Sequence, residues 1–102
     1  MKSHNGFLPN LHTSLKLVRA RLEGEGQFRR VVEETFKVVG FEVLDGKCLP
    51  VTPTGSFAPE DGYLYALLDT DDKNYFDLLT RVQYSSYKEW VAPLWAAQSN
   101  QD

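Results

Sequence analysis

Asp45-Gly46 separates two short β-prone runs, Phe41-Glu42-Val43-Leu44 and Lys47-Cys48-Leu49. A two-residue hairpin turn holds both of its central positions at φ > 0, which Gly and Asp tolerate best. The pair predicts an antiparallel hairpin over 41–51, with Val51 beyond Pro50. Pro50 has no N–H to donate, so the second strand is expected to lie at a sheet edge or to end there. A chain of 102 residues can bury one core but not two, so residues 1–102 are read as a single domain.

Upstream of the hairpin, Gly6 and Pro9 punctuate residues 1–9, which are expected to be loosely ordered, with Phe7 and Leu8 able to tuck onto the core. Leu11, Leu15, Val18 and Leu22 then recur at spacings of four, three and four, a helical stripe. Asn10 or Thr13 is placed to cap it and Gly24 to end it. The partial alternation of Leu15/Leu17 and Lys16/Val18/Ala20/Leu22 keeps a strand as the alternative. After Gly24-Glu25-Gly26, a second helical pattern runs through Phe28, Val31, Val32, Thr35, Phe36 and Val39, ending at Gly40. Arg29–Glu33, Arg30–Glu34 and Glu33–Lys37 form opposite-charge i,i+4 pairs on its other face.

Residues 52–62 are rich in Gly, Pro, Ser and Thr and read as a long loop anchored by Phe57. Residues 63–68 read as a buried strand and 70–74 as a turn. Residues 75–84 fit either a helix or a strand. Asp71 or Asp72 as N-cap tips the reading toward helix. Ser86-Tyr87-Lys88-Glu89 has the form of a capping box and opens a C-terminal helix bearing Trp90, Val91, Leu94 and Trp95, with Pro93 bending it or starting a new turn. Residues 99–102 are expected to fray. The fold class this predicts is α+β: a small antiparallel sheet with a central Asp-Gly hairpin, two N-terminal helices and a C-terminal helix.

Hydrophobic residues make up 42% of the chain and charged residues 25%, ordinary globular values. No apolar run approaches a membrane span, and no signal-like apolar core follows the first residues. The single Cys48 cannot form an intrachain disulfide. A reducing compartment, the cytoplasm, is the expectation. Net charge is −3, divided as +2 over residues 1–50 and −5 over residues 51–102. That balance is less basic than a phosphate-backbone binder needs and suits head-to-tail or self-complementary association.

No catalytic constellation emerges. Cys48 would need a neighbouring base to raise its thiolate fraction, and His4 and His12 both lie near the N-terminus. Asp69-Thr70-Asp71-Asp72-Lys73-Asn74 fails the calcium-loop pattern at its fifth, sixth and twelfth positions, Lys73, Asn74 and Thr80. Two histidines without a second cysteine do not make a zinc set. Lys16, Arg19, Arg21, Arg29 and Arg30 outline a basic patch, and two helices before a hairpin resemble a winged helix-turn-helix in outline, but Glu33 and Glu34 on the second helix oppose DNA. No cofactor or metal is expected, and the reading leans away from an enzyme.

The aromatic residues are unevenly spread: eight of thirteen lie beyond residue 60. Tyr and Trp join a large apolar area to one polar tip, which favours interfaces and pockets. The leading expectation is a protein-interaction domain, self-associating or binding another protein through Tyr63, Tyr65, Tyr87, Trp90 and Trp95. The alternatives are a small-molecule-binding or regulatory domain, with a hydrophobic ligand in an aromatic-lined pocket under the 52–62 loop, and a DNA-associated regulator.

Overall fold

The computed structural model describes residues 6–11 and 14–99. Among them the chain is mostly β: nine strands in two antiparallel sheets and one α-helix. The two expected N-terminal helices are absent. Their residues are β2 (Leu15–Glu23) and β3 (Arg30–Lys37), which pair with each other from Lys16↔Lys37 to Glu23↔Arg30. The α+β class with two N-terminal helices is thereby corrected to a two-sheet β fold with one C-terminal helix, and among the described residues no α-helix precedes the hairpin to form a helix-turn-helix.

The reason lies in the position of β2. The larger sheet has the order β3-β2-β7-β8-β9, with β7 spanning Leu64–Asp69, β8 Asn74–Asp77 and β9 Gln83–Tyr84. β2 is paired on both edges and covered on both faces: Leu17 is buried on one side, Val18 and Ala20 on the other. A strand buried on both faces loses the polar–apolar alternation that would mark it. The opposite charges taken for helical pairs instead meet across and between strands. The Arg19 Nε donates to Glu34 at 2.7 Å, and Arg30 lies 3.6 Å from Glu23. Gly24 and Gly26 build the connection. Gly24 has φ +94°, and a Cβ there would stand 2.5 Å from the Phe28 carbonyl oxygen, so only glycine makes this turn without strain.

The Asp-Gly hairpin is present. β4 (Gly40–Leu44) and β5 (Lys47–Thr52) close on Leu44↔Lys47, with Asp45 at φ 51° and Gly46 at φ 78°, the pair of positive values that a two-residue turn requires. β5 neither lies at an edge nor ends at Pro50: it also pairs with β6 (Gly55–Ser56), but that ladder begins at Val51, one residue past the proline. Residues 6–9, expected to be loose, form β1 and pair with β4, giving the smaller sheet the order β1-β4-β5-β6. The Phe7 ring lies over Gly40, where a Cβ would come within 2.1 Å of it. His4, the cap Thr13, His12 and the residues beyond 99 fall outside the described residues.

Residues 75–84 are strand, turn and strand. Asp77 makes the turn: its Oδ1 accepts the N–H groups of Leu79 and Thr80, both at 2.8 Å. The C-terminal helix α1 spans Tyr87–Ser99 and continues through Pro93. As the capping-box spacing predicts, Ser86 Oγ accepts the Glu89 N–H at 3.2 Å, while the Glu89 carboxylate takes the Ser85 hydroxyl at 2.9 Å. Trp90 and Val91 press α1 onto Val18, Ala20 and Ala66, forming one core on that face of the larger sheet. A second core lies on the opposite face, where Leu17, Tyr65 and Leu78 meet Val38, with Phe41 and Phe57 partly buried against them.

The chain passes from the larger sheet to the smaller one through Val38 and Val39 alone. Val38 is buried, the Val39 N–H reaches the Val51 carbonyl at 2.8 Å, and Asn10 bonds both valine carbonyls. Neither face of the smaller sheet is closed over: Phe7 and Leu44 are exposed on one, Leu8 and Cys48 on the other.

Candidate functional site

The five aromatic residues singled out from the sequence do not form one surface. Trp90 and Tyr65 are buried, at 1% and 4% exposure, and belong to different cores. Trp95 is 40% exposed on α1, and Tyr63 and Tyr87 are half-buried. Around Trp90, Tyr75 stacks at 5.1 Å with an interplanar angle of 14°, and Tyr87 stands edge-on at 6.1 Å. The indole N–H donates to Asp77 Oδ2 at 3.0 Å. Asp77, 3% exposed, thus has both carboxylate oxygens engaged, by the helix on one side and its own turn on the other. It is a structural acid, its two oxygens tying the turn to the helix. Burial raises the pKa of the Tyr75 and Tyr87 hydroxyls, with Glu33 adding to the effect.

A groove of about 470 Å³ runs beside this cluster, lined by Leu68, Thr70, Lys73, Tyr75, Ser86 and Tyr87. Its short hydroxyls are already used: Thr70 donates to the Ser14 carbonyl, and Ser86 caps α1.

The other face of the larger sheet holds a different arrangement, centred on Arg19. Strand alternation places Leu17, Arg19 and Arg21 on this face with Phe36 and Glu34 of β3 and Tyr65 of β7. The guanidinium lies 4.4 Å over the Tyr63 ring and 5.5 Å from that of Phe36, while its Nε bonds Glu34. Its Nη1 is 3.8 Å from Glu60, beyond hydrogen-bond range. The hydrogen bond to Glu34 raises the pKa of Arg19, desolvation opposes this, and a bond to Tyr65 adds to the rise. The Tyr65 hydroxyl accepts the Glu60 N–H at 2.9 Å, and Phe57 meets the Tyr65 ring edge-on at 5.2 Å. The stretch 52–62, read from the sequence as one long loop, instead begins with the end of β5, a turn and β6, and Phe57 anchors the shorter loop that follows. Between these groups and the end of the smaller sheet lies a cleft of about 290 Å³, walled by Leu17, Arg19, Phe36 and Tyr65 on one side and by Thr52, Thr54 and Ser56 on the other, with Phe57 and Ala58 completing it.

The sequence reading grouped Arg19 with a basic patch and missed this role. The available signal was the alternation Leu15, Leu17, Arg19, Arg21, which puts a cation among apolar residues on one strand face. Asp77 carries no such signal, because Leu78 and Leu79 after it are not turn-forming residue types. The basic patch itself is dispersed: Arg19 and Arg21 pair with Glu34 and Glu23, and Lys16 points to the opposite face from Arg19. Cys48 is exposed on β5. Asp69 turns its Oδ1 to the Asp71 and Asp72 N–H groups at 3.0 and 3.4 Å, so the acidic stretch caps its own turn. Among the described residues no group of three acidic, His or Cys side chains is placed to hold a metal, and no helix is long and apolar enough to cross a membrane. No protein-family model, curated protein or solved structure matches the chain.

Proposed function

We propose that the chain is a non-catalytic protein-interaction domain that pairs with a second copy of itself along β1. The observation carrying this reading is the contrast between two sheet edges. β3, an outer strand of the larger sheet, presents Arg30, Glu33, Glu34 and Lys37, the charged surface by which proteins keep an exposed edge from joining another. β1, an outer strand of the smaller sheet, is Gly6-Phe7-Leu8-Pro9 and carries no charge. Phe7 and Leu8 are 54% and 53% exposed, and Leu44 on the neighbouring strand β4 is 39% exposed.

Antiparallel pairing of β1 with its copy would join two four-stranded sheets into one of eight and cover Phe7 and Leu8. Completing the burial of a half-exposed Phe or Leu is worth about 1 kcal/mol. With the ladder hydrogen bonds added and the cost of association subtracted, a weak dimer results, dissociating in roughly the micromolar to millimolar range. Sedimentation of the full chain from about 10 to 500 μM, a span chosen to bracket that range, should show the average mass rising toward that of two chains. Leu8→Lys sets like charges opposite each other across the new ladder and should hold the protein at one chain's mass. A wild-type mass that stays flat over the whole range overturns the proposal, as does an unchanged dimer in L8K.

A further inference from the structure

We propose that the cleft between the two sheets binds a small aromatic monocarboxylate, with Arg19 taking the carboxylate and Phe36, Phe57 and Tyr65 the ring. This site is independent of pairing through β1, which lies on another strand of the smaller sheet.

The argument starts from what Arg19 costs. It stands mid-strand on a face whose other members include Leu17, Phe36 and Tyr65, and its side chain is 22% exposed. A cation in such surroundings needs charge partners and fixed geometry. Glu34 satisfies one edge of the guanidinium, the Tyr65 hydroxyl takes a further bond, and the Tyr63 and Phe36 rings hold it in place. The Nη1 side is different. The acid facing it, Glu60, stays 3.8 Å away with its side chain 67% exposed, so it is attracted there without forming a bond. Arg19 itself lines the cleft, so a ligand carboxylate entering it competes with the exposed Glu60 for the guanidinium, and Glu60 can swing into water. The guanidinium is already oriented, so little ordering entropy opposes binding.

The remaining walls set the ligand class. About 290 Å³ is the space of roughly ten waters, enough for one ring and a short chain. The floor is aromatic and aliphatic, and the Thr52, Thr54 and Ser56 hydroxyls at the opposite wall can bond a second polar group on the ligand. Glu34 and Glu60 repel additional negative charge, so one carboxylate is favoured over two or over a phosphate dianion.

The test titrates the full chain with benzoate and 3-phenylpropionate, using benzamide as the neutral comparator, and follows backbone amide and arginine Nε–H shifts by NMR. Saturable shifts should centre on Arg19, Tyr65 and residues 52–58, with benzamide at least about tenfold weaker than benzoate, the difference expected of a charge-assisted bond. Glu60→Gln keeps the backbone N–H that Tyr65 accepts and removes the competing charge, so it should tighten benzoate about threefold or more. Arg19→Met should weaken it about tenfold or more. Equal affinity for benzoate and benzamide overturns the proposal, as does an E60Q variant that binds no tighter or a set of shifts lying elsewhere on the protein. If R19M fails to fold, E60Q and the benzamide comparison still decide the question.

Discussion

At the scale of single residues, the molecule depends on one charged side chain, Asp77, buried beside its core. Asp77 joins a turn to the helix through three hydrogen bonds, and removing its carboxylate leaves two turn N–H groups and the Trp90 indole without an acceptor. Asp77→Ala should therefore lower the unfolding free energy by about 2–4 kcal/mol, read from urea denaturation. Trp90→Phe, which strands only Oδ2, should cost less of the hydrogen-bond component. The tyrosines beside Trp90 give a second expectation. Their hydroxyls have pKa values raised above the ordinary 10.0 by burial, so the folded state holds these protons more tightly than the unfolded chain. The associated stability is complete below pH 10.0 and is lost as pH climbs through the higher folded values. The urea midpoint should fall above that pH, and Tyr75→Phe should flatten the fall. A midpoint as steep in Y75F as in the wild type would show that other groups carry it.

At the scale of elements, those with chemistry of their own were legible and those defined by their neighbours were not. The Asp45-Gly46 turn and the Ser86 cap are local events, written in two and four residues, and both stand where the sequence puts them. The 63–68 strand reads correctly for a similar reason, being a short apolar run bounded by turn residues, and is observed as Leu64–Asp69. β2 and β3 misled because apolar residues fall on both of their faces and charges four apart share one side of a strand as readily as one side of a helix. The candidate site was legible only in part. Thr52, Thr54, Ser56, Phe57, Ala58 and Tyr65 line a cleft, and the turn-rich composition of 52–58 and the aromatic character of Tyr65 are visible in the sequence. The cleft's cation, however, is set there by cross-strand register, which is fixed by pairing with residues far along the chain. Register also explains Gly40. It is buried beneath Phe7, and Gly40→Ala would drive a methyl into that ring and toward the Leu8 carbonyl oxygen, 2.7 Å from the new Cβ. The substitution should cost about 1–3 kcal/mol and free β1 from its neighbour. Hydrogen exchange at Leu8 should accelerate in G40A while exchange in β7 stays as in the wild type.

At the scale of the whole molecule, burial is unevenly shared. The larger sheet holds Leu17, Val18, Ala20, Tyr65 and Ala66 in its two central strands, whereas in the smaller sheet Gly40 and Pro50 are the buried residues among those described. With principal extents of 49 × 32 × 24 Å, the protein is elongated rather than spherical. Stability should follow the burial. Native-state exchange should show β4 and β5 opening together at a lower free energy than β2 and β7, which should exchange only through global unfolding. A single opening free energy across both sheets would mean that they behave as one cooperative unit. The joint at Val38–Val39 has an effect on the cleft as well. One wall of that cleft belongs to each sheet, and the chain crosses between the sheets three times, from β1 to β2, from β3 to β4 and from β6 to β7, so the width available to a guest depends on all three links. Of the three, the Val38–Val39 link is the shortest, and Asn10 pins it by bonding both of its carbonyls, so this corner of the cleft is the one the backbone holds most directly.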